Sequence, residues 1–183
     1  NNIIEQKNRG VEIANSNKSI KALAVSRLVV QKGIDILINA MERIDNKKIE
    51  LHIYGEGPEL KNLQKLSKNN QIIFKGYSEN IAWENYDVFF LPSFKEGLSN
   101  SLLEAQFNNV FSIVSDCKAG NKEVIDLTKN GVIFKSKNIE DLAIKIKYYI
   151  EGQYKNIYSR EKIVKEFSSV KAINTLKDKI STL

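Results

Sequence analysis

Apolar positions along the chain change period several times. IKALAVS, residues 20–26, is a short apolar run of the kind a buried strand makes. GIDILINAMERI, residues 33–44, switches to helical spacing and puts Ile34, Leu37, Ile38, Met41 and Ile44 on one stripe. IELHIYG (49–55) reads as a second strand, and PELKNLQKLSK (58–68) as a helix with Pro58 in its first turn. QIIFKG (71–76) and YDVFFLP (86–92) are the third and fourth strands, followed by a helix predicted to start at about Leu98. FSIVSD (111–116) and GVIF (131–134) are the fifth and sixth. Further helices are predicted over 139–151, 158–167 and 170–180.

Strands that alternate with helices and are apolar throughout belong to a parallel sheet covered on both faces. The expected fold class is therefore α/β, a Rossmann-like parallel sheet of about six strands. The expected organisation is a tail or linker over 1–19, one domain over 20–151, and C-terminal helices over 152–183. In such sheets ligands bind beyond the carboxyl ends of the strands, so the residues following each strand are the candidates for chemistry.

After the first strand comes SRLVVQKG, in which Arg27 and Lys32 flank a short excursion before the helix. Taken singly, each reads as a solvated surface cation. Placed together at a helix N-terminus, they suit a diphosphate, because amides and macrodipole add to their charge. After the second strand, Gly55 and Gly57 in YGEGPEL lack the third glycine of a dinucleotide fingerprint, which disfavours a dehydrogenase; GxxxxGK[ST] is also absent. Gly55 is read as a tight turn or as a loop kept slim beside a ligand.

The strongest local signal is FKEGLSNSLLEA, residues 94–105. Glu96 and Glu104 stand eight positions apart, which at helical pitch brings both carboxylates to nearly the same side of an axis. Between them, free amides of a first helical turn carry partial positive charge. A ligand with an anionic centre and hydroxyl-bearing ends has the complementary layout. Ordinary capping accounts for Glu96, but less well for Glu104, whose neighbours in LLEAQF are mostly apolar.

Composition narrows the classes. The chain has 183 residues, 42% hydrophobic and 27% charged, enough for one domain with a real core. No apolar run reaches bilayer-spanning length, and no signal-peptide pattern opens the chain. The first residue is Asn1, and a piece of a longer polypeptide is expected. Cys117 is the sole cysteine, read as a packing residue, and it allows no internal disulfide. His52, the sole histidine, lies mid-strand and is read as structural. Net charge is +6, with 11 Lys+Arg against 6 Asp+Glu over 135–183. That excess reads as solvated helix faces, or as attraction to an anionic membrane surface or a lipid-linked acceptor; no module pattern for nucleic acid is present.

SFKEGLSNSLLEAQ resembles the E-x7-E motif of retaining glycosyltransferase family four, within the glycosyl transferases group 1, whose members have the GT-B fold of two facing Rossmann-like domains. VSRLVVQKG resembles that family's phosphate loop, HIYGEGPELKNL its Gly-x-Gly turn, and IIFKGYSENIAWENYDVFFLPS its base-binding stretch. Two departures stand out: Asn109 and Phe111 replace a usual Gly and Pro, and AGNKEVI keeps Gly120 and Glu123 but loses one glycine. The asparagine is expected to take a left-handed conformation and so preserve the turn.

The resemblance implies a donor-binding half of a retaining hexosyltransferase, with no metal or other cofactor, acting on a nucleotide-diphosphate sugar in bacterial surface polysaccharide assembly. Arg27 and Lys32 would hold the diphosphate, and Glu96 would accept hydrogen bonds from the transferred sugar. Gly97 and Leu98 would offer backbone amides, Ser99 would sit beside the phosphates, and Glu104 would grip the ribose. Tyr77 would lie near the base. The implied partner is an N-terminal acceptor-binding domain of the same polypeptide, and the implied location is cytoplasmic or peripheral on the inner face of the cell membrane. The alternatives are a non-catalytic nucleotide-binding or assembly module of the same ancestry, and a GT-B sugar-nucleotide epimerase.

Overall fold

The computed structural model describes residues 19–154, apart from 45, 69, 118 and 119. Six strands, β1 (Ile20–Val25), β2 (Ile49–Tyr54), β3 (Ile72–Gly76), β4 (Val88–Leu91), β5 (Phe111–Ser115) and β6 (Gly131–Phe134), form one parallel sheet. Among the described residues four α-helices lie in the connections, α1 (Ile34–Ile44), α2 (Leu60–Leu66), α3 (Asn100–Phe107) and α4 (Asn121–Thr128), and α5 (Ile139–Ile150) follows β6. The helices expected over 158–167 and 170–180, and most of the expected tail, lie outside the described residues. Among the described residues no helix is long and apolar enough to cross a membrane.

The strand order is β3-β2-β1-β4-β5-β6. The chain builds outward from β1 to β3, then returns to β1's other side and builds outward again. That reversal leaves a crevice at the carboxyl ends of β1 and β4, where connections leave in opposite directions.

Period-two alternation sends the strand side chains to two cores. Ile20, Ala22, Ala24, Ile49, Leu51, Ile53, Val88 and Phe90 meet Leu37, Ile38 and Met41 of α1, Leu63 of α2, and Leu142 and Ile146 of α5. Leu23, Phe89, Leu91 and Val114 meet Leu102 and Ala105 of α3 and Val124 and Ile125 of α4 on the opposite face. Burying one Leu or Ile contributes roughly 1.5–3 kcal/mol, so both faces hold the sheet firmly under its loops.

Two predicted helix starts move. Pro58 lies in a turn ahead of α2, which begins at Leu60 with Glu59 as its cap residue. The helix expected from Leu98 begins at Asn100, because the Ser99 side chain accepts from Leu102 N and sets the N-cap there. At the other end, Asn109 has φ 56°, the left-handed conformation expected of it. Thus α3 stops and β5 begins without the usual glycine.

Candidate functional site

The loop after β1 bridges its neighbours. At one end it is fastened to the loop after β2, with Leu28 N donating to Glu56 O (2.8 Å) and Glu59 N to Leu28 O (3.0 Å). At the other it meets the loop after β4, where Phe94 N donates to Gln31 O (2.8 Å). The approach there is close. A Cβ on Gly33 would stand 2.2 Å from Pro92 O and 2.8 Å from the Phe94 ring, and Gly33 has φ 63°. Glycine is needed both for the left-handed turn and for the room it leaves.

This bracing brings together two residues 64 positions apart. Lys32 Nζ donates to both carboxylate oxygens of Glu96, at 2.8 and 2.7 Å. The pair is largely shielded, with 18% and 14% of the two side chains exposed. It sits on the crevice between β1 and β4, the two strands whose loops carry it. Glu96 lies ahead of α3 rather than on it, so helical pitch does not relate it to Glu104; the loop's bracing places it instead. A place just ahead of the helix is where the sequence put Glu96.

Glu104 departs from expectation in its surroundings. It is exposed, and its carboxylate has no partner among the described residues. The apolar neighbours Leu102 and Ala105 turn inward while Glu104 points outward on the same helix. Its position therefore needs no compensating partner, and the structure does not bring it into contact with Glu96, Arg27 or Lys32.

Arg27 lies towards the β2 end of the same loop, on a cavity of about 330 Å³ lined by Val25, Ser26, Tyr54, Gly55, Glu56, Tyr77 and Ser78. Gly55 keeps this wall thin: its φ is 136° and an added Cβ would meet Ser26 O at 1.8 Å. Tyr77 is 65% exposed. Its hydroxyl donates to Glu79 (3.1 Å), and that bond, with the nearby carboxylate charge, raises the phenol's pKa. The two basic residues thus occupy different stations, Lys32 at the crevice and Arg27 at the cavity.

The remaining candidates follow from local geometry. Gly97 and Leu98 form the turn into α3, and Gly120 packs against them, its site for a Cβ 3.1 Å from Gly97 O and from Leu98 Cα. Gly120 N donates to Glu123 (3.0 Å), so the two residues kept in AGNKEVI brace each other at the start of α4. Ser99 is buried, and its hydroxyl serves as the α3 cap while lying 3.0 Å from Ser101 Oγ. Cys117 is buried, as expected of a packing residue, and accepts from Asn121 Nδ2 at 3.2 Å.

Several residues at these loops went unsingled in the sequence. Phe94 is wedged beside Gly33, and Lys137 Nζ stands 5.0 Å over its ring from the loop after β6. Ser26 Oγ and Ser93 Oγ, at the ends of β1 and β4, are buried with no partner among the described residues. Tyr54 and Glu56 line the cavity. For the serines the available signal was position, each being the first or second residue past a strand in a sheet of this kind.

Comparison with known proteins bears on the family and the fold. Over 157 residues the chain is 29% identical to the poly(ribitol-phosphate) alpha-N-acetylglucosaminyltransferase of Staphylococcus aureus, covering 79% of this chain and 32% of that protein. It is 30% identical over 143 residues to the N,N'-diacetylbacillosaminyl-diphospho-undecaprenol alpha-1,3-N-acetylgalactosaminyltransferase of Campylobacter jejuni, covering 76% of this chain and 38% of that protein. The chain thus spans about a third of the length of these curated relatives, 32% and 38%. The solved structure of TarM superposes with a TM-score of 0.72 at 26% identity, covering 88% of this chain and 35% of that one. The sequence profile described as "Glycosyl transferases group 1" matches residues 6–167. That match takes in most of the 183 residues, and the chain therefore belongs to the glycosyl transferases group 1.

Proposed function

We propose that this chain is the donor-binding half of a retaining glycosyltransferase of family four, which takes a nucleotide-diphosphate sugar and transfers its hexose in bacterial surface polysaccharide assembly. The Lys32–Glu96 pair carries the reading. A shielded cation and carboxylate share the crevice where ligands bind in sheets of this topology. Lys32 is placed to hold an oxygen of the diphosphate, which competes with Glu96 for it, and Glu96 is then free to accept from the sugar's hydroxyls. Arg27 adds a second cation on the cavity side, and together they stabilise charge on the leaving diphosphate. In this reading charge stabilisation needs no metal. Gly97 and Leu98 supply backbone amides and Ser99 the helix start beside the phosphates. Glu104, exposed and unpaired among the described residues, is available to the ribose hydroxyls. Gly55 and Tyr77 border the space for the base.

The acceptor belongs to a second domain of the same polypeptide, so the present chain binds nucleotide weakly and transfers no sugar alone. The basic charge over 135–183 favours a cytoplasmic protein held at the inner membrane face near a lipid-linked acceptor. A thermal-shift panel of UDP, GDP, ADP and TDP tests the core of this. A ligand at 100 times its Kd stabilises by about 2.7 kcal/mol, so one nucleotide should raise the melting temperature of the wild-type chain and not that of Lys32→Ala. No shift with any of the four overturns the donor reading. Turnover by the isolated chain overturns only its dependence on a partner domain.

A further inference from the structure

The β2 residues facing away from α1 and α5 are Glu50, His52 and Tyr54, a polar series on a strand whose other face is Ile49, Leu51 and Ile53. They are joined end to end. His52 Nε2 lies 2.8 Å from Glu50 Oε1, His52 Nδ1 lies 2.9 Å from Tyr86 Oη, and Tyr86 Oη lies 3.2 Å from Tyr54 Oη. Tyr86 is buried and meets both rings edge-on, with centres 5.6 Å from His52 and 6.5 Å from Tyr54. Tyr54, at the far end of the series, is a wall of the 330 Å³ cavity that also holds Arg27 and Tyr77.

The bonds have a direction. An ionised carboxylate only accepts, so Nε2–H of a neutral imidazole donates to Glu50 and Nδ1 is left as an acceptor. Tyr86 then donates to Nδ1, and its oxygen accepts from Tyr54. Each hydroxyl proton has one place to go, and the Tyr54 hydroxyl is committed inward.

We propose that His52 and Tyr86 are positioning residues for the nucleoside end of the donor site, holding Tyr54 in one orientation as a wall of its cavity. The inference rests on the donor-binding reading and deepens it at the space for the base, which Gly55 and Tyr77 border. A cavity bordered by two tyrosine rings suits a planar base, whereas the anionic centre is served by the cations of the β1 loop.

Protonation reverses the series. The groups facing His52 are Glu50 on its own strand, Lys21 on β1, Lys75 on β3 and Tyr86 ahead of β4. Burial pushes its pKa below 6.5, outweighing the Glu50 bond that opposes it, and the two lysines push the same way. Once protonated, Nδ1–H donates to Tyr86, the Tyr86 proton turns to Tyr54, and the Tyr54 hydroxyl loses its inward acceptor.

Calorimetric titration of the 183-residue chain with UDP-, GDP-, ADP- and TDP-glucose at pH 7.5 and below tests this, since the diphosphate of a sugar nucleotide does not titrate in that range. For the tightest of the four, Tyr54→Phe and Tyr86→Phe should each raise Kd about fivefold at pH 7.5, the equivalent of one lost hydrogen bond. Wild-type affinity should fall as His52 becomes protonated, a titration followed to whatever pH below 6.5 completes it, while His52→Asn should show no such fall. Melting without ligand measures any cost to the fold separately. Tyr54→Phe removes only a hydroxyl from a half-buried ring and decides the matter if Tyr86→Phe does not fold. Wild-type affinity in Tyr54→Phe, or a wild-type pH profile in His52→Asn, overturns the inference and leaves the donor reading standing. A wild-type chain that binds none of the four sugars overturns both.

Discussion

Gly33→Ala separates two effects that glycine substitutions usually confound. Gly33 and Gly76 have similar positive φ, 63° and 72°. At either position alanine must adopt a left-handed conformation, costing about 1–2 kcal/mol. Only at Gly33 does the new methyl meet anything. It would stand 2.2 Å from Pro92 O, while Gly76 has nothing within 4 Å. The obstacle at Gly33 is backbone, so relief requires the β1 and β4 loops to part by about 0.8 Å to reach 3.0 Å. Overpacking of that kind adds roughly 1–3 kcal/mol. The expected totals are about 2–5 kcal/mol for Gly33→Ala and about 1–2 kcal/mol for Gly76→Ala. In melting temperature, each kcal/mol corresponds to roughly 2–4 °C at this size. Urea unfolding followed by circular dichroism, with unchanged m-values, measures both. Since Lys32 adjoins Gly33, the same movement should loosen the 2.7 Å contact to Glu96 and weaken nucleotide binding in Gly33→Ala alone. Equal destabilisation by the two substitutions would show that the loops do not abut as described.

Three further outcomes are expected. Lys32→Ala leaves the shielded Glu96 carboxylate unpaired and should cost about 1–3 kcal/mol, whereas Lys32→Met combined with Glu96→Gln should recover most of it; additive losses in urea unfolding would contradict a coupled pair. Gly97→Ala has open space around its Cβ, so stability should stay within about 0.5 kcal/mol of wild type while nucleotide-sugar affinity drops; unchanged affinity by calorimetry removes the case for close backbone approach there. The third concerns pH. His52 has a folded pKa below 6.5, so the unfolded chain binds the proton more readily and stability falls as pH drops from 6.5 through the folded value. His52→Gln should flatten that part of a stability-against-pH curve, and a slope identical to wild type would assign it to other groups.

Much of the fold could be read in the chain. Strand and helix periods are local properties, so six strands and the helices α1, α2, α3 and α5 emerged from spacing, whereas α4 (Asn121–Thr128) was not expected; Asn109 was correctly expected to turn left-handed because its side chain tolerates that conformation. The α3 start was placed at Leu98 because capping competition between neighbouring polar residues is decided by which hydroxyl reaches Leu102 N. Glu104 was taken to lie among apolar groups because its sequence neighbours are apolar, although a helix sends them to another side.

From residue order alone came an α/β domain with its chemistry past the strand ends, and the nomination of Arg27, Lys32, Glu96 and Glu104. Tertiary structure decided which of these meet. Lys32 touches Glu96 because β1 pairs with β4 on the side opposite β2, a choice made by packing between segments more than 60 residues apart and invisible to any local period. It also set Arg27 on a cavity beside Tyr54 and Tyr77, left Glu104 in solvent, and joined His52 to that cavity through Tyr86 and Tyr54. Side-chain spacing reports only what one segment does. Contacts between segments depend on how two apolar faces close over a sheet, and that is a property of the whole fold.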